Sequence, residues 1–213
     1  MARLKKGIFN GFYGVIGGVE GYELNGQYIL RSRRRKSTRP PTEKQLACRL
    51  KMKLVNDMLK CFPDFVKLGF AIAAQNQTFT AYNAAVAYQL THAITGSYPA
   101  YEINYSQVLV AQSSAPAIQV TASVSVIARS LQFTWPPHLT YPHSTDHAML
   151  LAYSPYYRQA VVNLCGAKRK QGTETLPIPE SWNLQHPIQT YLAFRSEQTG
   201  ACTNSIYLGS IEQ

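Results

Sequence analysis

One group of titratable residues lies close enough in sequence to suggest chemistry. His138, His143, Asp146 and His147 fall within the ten residues HLTYPHSTDH, and imidazoles with a carboxylate are zinc-ligand types. Their spacing fits no metal motif, and Pro142 with Ser144-Thr145 marks the segment as a loop between strands, where histidines are commonly solvated. No metal is expected, and His138, His143 and His147 stand only as weak candidates. His92 lies near a helix end, where a cation suits the macrodipole, and His186 precedes Pro187 in a loop. Asp64, Glu102, Glu174, Glu180, Glu197 and Glu212 are isolated, so no carboxylate pair offers general acid and base together. GxSxG, HExxH and GxxxxGK are all missing. GFYGVIGG has spaced glycines, but it precedes a hairpin instead of opening a helix after a strand. Cys48, Cys61, Cys165 and Cys202 have no CxxC spacing; free thiols are expected, although Cys165 and Cys202 could meet on neighbouring strands. No enzyme activity, cofactor or small-molecule substrate is expected.

Charge gives a stronger lead. Lys plus Arg number 21 against 11 Asp plus Glu, for a formal charge of +10. Residues 1–60 hold 14 of the basic and 4 of the acidic residues, and 61–213 hold 7 of each, so the excess is N-terminal. Its centre is Arg31, Arg33, Arg34, Arg35, Lys36 and Arg39, ending at Pro40-Pro41. Such a run repels itself and stays extended unless an anion neutralises it. It could grip phosphates, with Lys44, Lys51, Lys53 and Lys60 in support and Phe9, Phe12, Tyr13, Tyr22 and Tyr28 stacking on bases. A solvated face, or an arm on a neighbouring subunit, is the plainer alternative.

The basic run follows a glycine-rich arm. Gly7, Gly11, Gly14, Gly17, Gly18, Gly21 and Gly26 alternate with bulky apolar residues, which argues against a helix. Asn25-Gly26 is a preferred two-residue hairpin turn, predicting strands near 19–24 and 27–32. A stretch of this kind packs no core of its own. It folds back on its domain or docks on another subunit.

Helices should follow. Thr42 and Gln45 have capping-box form, and Leu46, Leu50, Leu54 and Met58 repeat on one face until Pro63. FVKLGFAIAA reads as a second short helix. A third should run from about Thr78, with Phe79, Tyr82, Val86, Leu90 and Ala93 in one stripe and Gly96 as its stop. From Tyr98 the period changes to two: EINYSQVLVAQ, QVTASVSVIA, LQFTW, AMLLAYS, QAVVNL, ETLPI, QTYLAF and TNSIYLG are short β-prone runs between turns. The expectation is an α+β chain: an N-terminal β-hairpin and about three helices over 1–97, then an antiparallel immunoglobulin-like β-sandwich over 98–213. FTWPP at 133–137 and YLAFRSEQTGACTNSIYL at 191–208 look like parts of a fibronectin type III domain.

Taken whole, the chain resembles a bacterial domain family of unknown function. The resemblance rests on Gly11-Phe12, Gly14, Gly17 and Gly21, on Arg31-Ser32, and on the string from Pro41 to Arg49. It continues through AYNAAVAYQLTHAITGSYPAYEINYSQVLVAQ from 81 and NSIYLG at 204–209. It implies a basic, glycine-rich and helical N-terminal part joined to a sandwich, and supplies no catalytic residues. The chain departs from the family at Tyr13 and Val15, where Ser and Lys are usual, and at the unusually basic Arg33 to Arg35.

The functional expectation is a structural protein assembling with copies of itself into a fibre, sheath or shell. Its contact arm would comprise Gly7, Gly11, Phe12, Gly14, Gly17, Gly18, Gly21, Asn25 and Gly26. A nucleic-acid-binding protein using 31–39 is the alternative. A carbohydrate-binding or adhesive module, with Tyr141, Tyr156 and Trp182 stacking on sugars, is the third. No run reaches membrane-spanning length, and the glycine-broken N-terminus reads as mature protein, cytoplasmic or part of an assembled particle.

Overall fold

The computed structural model describes residues 2–4, 13–24, 26–33, 38–113, 121–127 and 129–212. The chain is α+β and divides into two compact units, 1–42 and 43–213. The change of period near 97 therefore marks a change of secondary structure, whereas the compact units part between Thr42 and Glu43.

The first unit is a four-stranded antiparallel sheet of β1 (Ala2–Leu4), β2 (Gly14–Ile16), β3 (Val19–Leu24) and β4 (Gln27–Ser32), in the order β1-β4-β3-β2. β3 and β4 form the hairpin read from the sequence, with Leu24 opposite Gln27. Gly14 pairs with Gly21, and Gly17 and Gly18 make the β2–β3 turn.

The second unit opens with α1 (Glu43–Leu59), α2 (Pro63–Gly69) and α3 (Ala81–His92). Pro63 begins α2, where its missing N–H costs nothing. Of the α1 stripe only Met58, at its C-terminal end, is buried, together with its neighbours Val55 and Leu59, while Leu50 and Leu54 are half-buried and Leu46 is exposed. α3 starts later than the sequence implied. Thr80 caps it, its side chain accepting a hydrogen bond from Asn83 N at 3.2 Å, which leaves Phe79 outside the helix and exposed.

Gly96 does not stop α3. The helix ends at His92, and Gly96 lies in a hairpin of β5 (Ile94–Ser97) and β6 (Ala100–Ile103), with φ of +85°. A Cβ there would lie 2.4 Å from Ala100 O, so the close pairing of these strands requires glycine. Only the start of EINYSQVLVAQ is a strand. Val108, Val110 and Ala111 cross the helices in irregular conformation, and a Cβ on Gly69 would meet Val110 O at 2.5 Å. The buried Gln89 pins this crossing by donating to Leu109 O at 2.5 Å and accepting from Leu109 N at 3.2 Å.

Seven strands follow: β7 (Ser123–Ile127), β8 (Ser130–Thr134), β9 (His147–Ser154), β10 (Gln159–Asn163), β11 (Thr173–Pro177), β12 (Ile188–Arg195) and β13 (Ile206–Ile211). They make two antiparallel sheets, β10-β9-β12-β13 and β11-β8-β7. One core lies between the sheets, built from Leu131, Phe133, Trp135, Leu150, Leu176, Trp182, Leu192 and Phe194 among others. The other face of β9 and β12, carrying Met149, Leu151, Tyr153, Tyr191 and Ala193, packs against Phe62, Phe65, Val66 and Phe70 in a second core with the helices. Each large side chain so enclosed contributes about 1.5–3 kcal/mol. No helix among the described residues is long and apolar enough to cross a membrane.

Candidate functional site

In the N-terminal sheet, Gly21 and Ile29 are the buried residues among those whose burial is described. Tyr13, Val15, Ile16, Val19 and Leu24 are exposed, Ile16 to 65%. Among the described residues β2 is an edge of this sheet; it is only three residues long but carries no charge and no proline, two of the devices by which exposed edges avoid pairing. Tyr13 braces it by donating its hydroxyl to Glu23 Oε2 at 2.6 Å, which holds the phenol protonated above its ordinary range, and by an edge contact with Tyr28.

The structure separates the members of the basic run. Arg31 lies across the strand pair from Glu20 and donates to its Oε2 from Nε at 3.0 Å and from Nη2 at 2.8 Å, with its guanidinium 5.1 Å from the Tyr22 ring centre. That carboxylate raises the guanidinium pKa further. Arg33 and Arg39 are exposed. Gly7, Gly11, Phe12, Asn25, Arg34, Arg35 and Lys36 lie outside the described residues, while Gly14, Gly17, Gly18 and Gly26 are exposed.

The second unit gathers polar and charged side chains at one end of its two sheets, where the β8–β9, β10–β11 and β12–β13 loops meet. Trp135 Nε1 donates to Arg169 O at 2.9 Å, and Arg169 N donates to Asp146 O at 2.7 Å. The buried Arg169 guanidinium stacks 4.7 Å from the Phe194 ring centre, with Nη1 3.9 Å from the equally buried Asp146 Oδ2. Its Nε and Nη1 have no hydrogen-bond partner among the described residues, and burial lowers its pKa against the opposing pull of Asp146. Lys168 pairs with Glu197 at 3.2 Å, and Gln198 Nε2 donates to the Tyr141 hydroxyl.

The histidines do not converge as ligands. His143 Nδ1 meets Asp146 Oδ2 at 3.1 Å, His138 Nδ1 meets Thr140 O at 3.2 Å, and His147 Nδ1 donates to Gly166 O at 2.9 Å. Among the described residues no group of three His, Cys, Asp or Glu side chains is placed to hold a metal ion. Cys165 and Cys202 do not meet either. Cys165 is exposed, whereas Cys202 is buried in the helical core with Sγ 3.8 Å from Met149 Sδ. Trp182 is likewise a core residue: only 2% exposed, it donates from Nε1 to Gln159 Oε1 at 3.1 Å beneath a parallel Tyr157 ring. It offers no face to a sugar. Tyr156, stacked on His186 with 3.5 Å between ring centres, is the exposed aromatic there.

Sequence reasoning missed Arg169 and Arg195. Arg169 is the middle of the short basic triplet Lys168-Arg169-Lys170 and Arg195 stands alone, and in both cases only the meeting of distant loops gives them significance.

Two features therefore characterise the chain: a small sheet with an uncharged apolar edge, and an α+β unit whose antiparallel sheet is covered by helices on one face and a second sheet on the other. Residues 11–209 match a family of unknown function, DUF6266, and the chain belongs to that family. No curated protein and no solved structure matches the chain.

Proposed function

We propose that this chain is a non-enzymatic structural protein that assembles with copies of itself through its N-terminal sheet, as the subunit of a fibre, sheath or shell. The observation that carries this reading is the edge strand β2. Val15, whose register partner Glu20 turns its backbone toward β4, directs its own backbone groups away from β3, where they are unpaired among the described residues. They lie beside the exposed side chains of Val15, Ile16 and Val19, and adding a strand from a second copy satisfies both. If the contact is head-to-tail, it makes rings or filaments according to whether the rotation closes. The strand order β11-β8-β7 against β10-β9-β12-β13 supports a fibronectin type III-like sandwich as the other part of the subunit. Light scattering after size exclusion tests the assembly on the full chain, on a chain lacking residues 1–30 and on the pair Val15→Lys, Ile16→Lys. Concentration-dependent oligomers of the full chain should vanish in both variants. A monomer throughout would sink the reading.

Polyanion binding has one observation in its favour: Arg33 and Arg39 are exposed, as are Lys44, Arg49 and Lys53 of α1. Binding to unrelated DNA and RNA that falls steeply with salt, and is lost in Arg33→Ala with Arg39→Ala, would support it. No binding at low salt would eliminate it.

A further inference from the structure

The geometry points to an oxyanion-binding site beside the ends of β9 and β12, suited to a small molecule bearing a carboxylate or phosphate group. Arg195, the last residue of β12, lies directly across from His147, the first of β9. Cross-strand partners share a face of the sheet. Further along, that face carries Ala193 and Met149 and is sealed by the helices. At Arg195 and His147 it borders a cavity of about 470 Å³, also lined by Leu164, Cys165 and the turn 196–200. This volume lies within the ordinary range of small-molecule sites, roughly 300–1,000 Å³.

The charges leave a cation uncompensated. Arg195 makes no ion pair among the described residues, and its Nε is buried without a hydrogen-bond partner. Glu197 is the one carboxylate lining the cavity, and Lys168 Nζ already engages it at 3.2 Å. The neighbouring Cys202 supplies no counter-charge, since burial holds its thiol neutral. A partly enclosed guanidinium in this position is satisfied by an oxyanion accepting its N–H groups.

The remaining lining groups suit the same ligand. His147 donates from Nδ1 to a carbonyl, so in the neutral ring the Nε2 carries only a lone pair. In an imidazolium ring both nitrogens donate, so Nε2 is the position from which this side chain can offer a second N–H. The Ser196 hydroxyl oxygen accepts from Thr199 N and the Thr199 hydroxyl oxygen accepts from Ala201 N, each at 3.3 Å, so both hydroxyl protons remain available to donate. Gly200, whose φ of +68° is a left-handed turn position that favours glycine, brings the turn against the guanidinium: a Cβ there would stand 3.4 Å from Arg195 Nη2, in ordinary contact.

The test is a titration of the full-length ¹⁵N-labelled protein with sodium phosphate and, separately, sodium acetate, sodium chloride holding the ionic strength constant. Saturable shifts are expected at the Arg195 Nε–H and at the amides of 196–200, and the anion saturating at the lower concentration identifies the preferred group. Arg195→Met should weaken binding by at least about tenfold, with Arg195→Lys intermediate. Absence of saturable shifts for both anions in the parent overturns the site, as does unchanged binding in a folded Arg195→Met. Should Arg195→Met fail to fold, the Arg195 Nε–H resonance of the parent decides alone: an anion that saturates the amides without moving it binds elsewhere.

Discussion

Leu192 and Ala193, neighbours on β12, are both fully buried and face opposite ways, Leu192 into the core between the two sheets and Ala193 into the core with the helices. A strand alternates its side chains between faces, so one sheet serves two cores only when both faces are covered. β9 and β12 therefore read as almost continuous apolar runs, MLLAY and YLAF, instead of the alternation of a sheet with one wet face. β7, at an edge of the other sheet, keeps that alternation.

The second sheet and its partner should not fold without the helices. A chain of residues 121–213 bares Met149, Leu151, Tyr153, Tyr191 and Ala193 together, a patch that drives association in water. It is expected to aggregate or to unfold without a cooperative transition in urea. Ala193→Asp in the full chain buries an unpaired carboxylate and should abolish the native state or lower its stability severely. Cooperative unfolding of a soluble, monomeric 121–213 would refute the shared core.

Removing the counter-charge of Arg169 should be costly. Asp146→Ala leaves a buried guanidinium with only the Phe194 ring and frees His143 from its acceptor, and a loss of about 3 kcal/mol in urea unfolding is expected. Arg169→Met combined with Asp146→Asn should recover much of it, because an apolar stem still packs on Phe194 and no unpaired charge remains. A change below about 0.5 kcal/mol for Asp146→Ala would mean that the pair does not hold these loops.

The thiols should separate by reactivity. At pH 8 iodoacetamide is expected to modify Cys48 and Cys165, which are exposed, and to spare Cys202, whose pKa burial pushes up to about 11. In urea all four should react. A thiol raised in the folded state favours folding fully below its unfolded value, near 8.5, and that contribution fades as the pH climbs through about 11. Mass spectrometry of the alkylated native protein reads the pattern, and Cys202 labelling as fast as Cys165 would contradict the burial.

Much of the architecture was legible locally. Asn25-Gly26 placed the β3–β4 hairpin, Pro63 marked the junction of α1 and α2, and the β-prone runs from QVTASVSVIA onward each overlap one of the seven strands. These are effects of backbone preference and short-range pattern, which act within a few residues. The runs MLLAY and YLAF also carried the sign of a doubly covered sheet. It was obscured because a short apolar run does not say what lies on either side of it.

Tertiary structure decided the rest. Gly96 reads as a helix stop by its chemistry and serves a hairpin because β6 passes against it. Trp182 reads as a loop aromatic and is enclosed because Tyr157 and Gln159 meet it from another strand and turn. Trp135 and Arg169 are 34 residues apart, and nothing near either one announces the other. By itself the sequence determined which segments become strands and helices and where the excess positive charge falls. Which side chains are buried, which cations find a carboxylate and which are left waiting for one depended on distant segments meeting, since burial and charge pairing belong to contacts in space and not to neighbours along the chain.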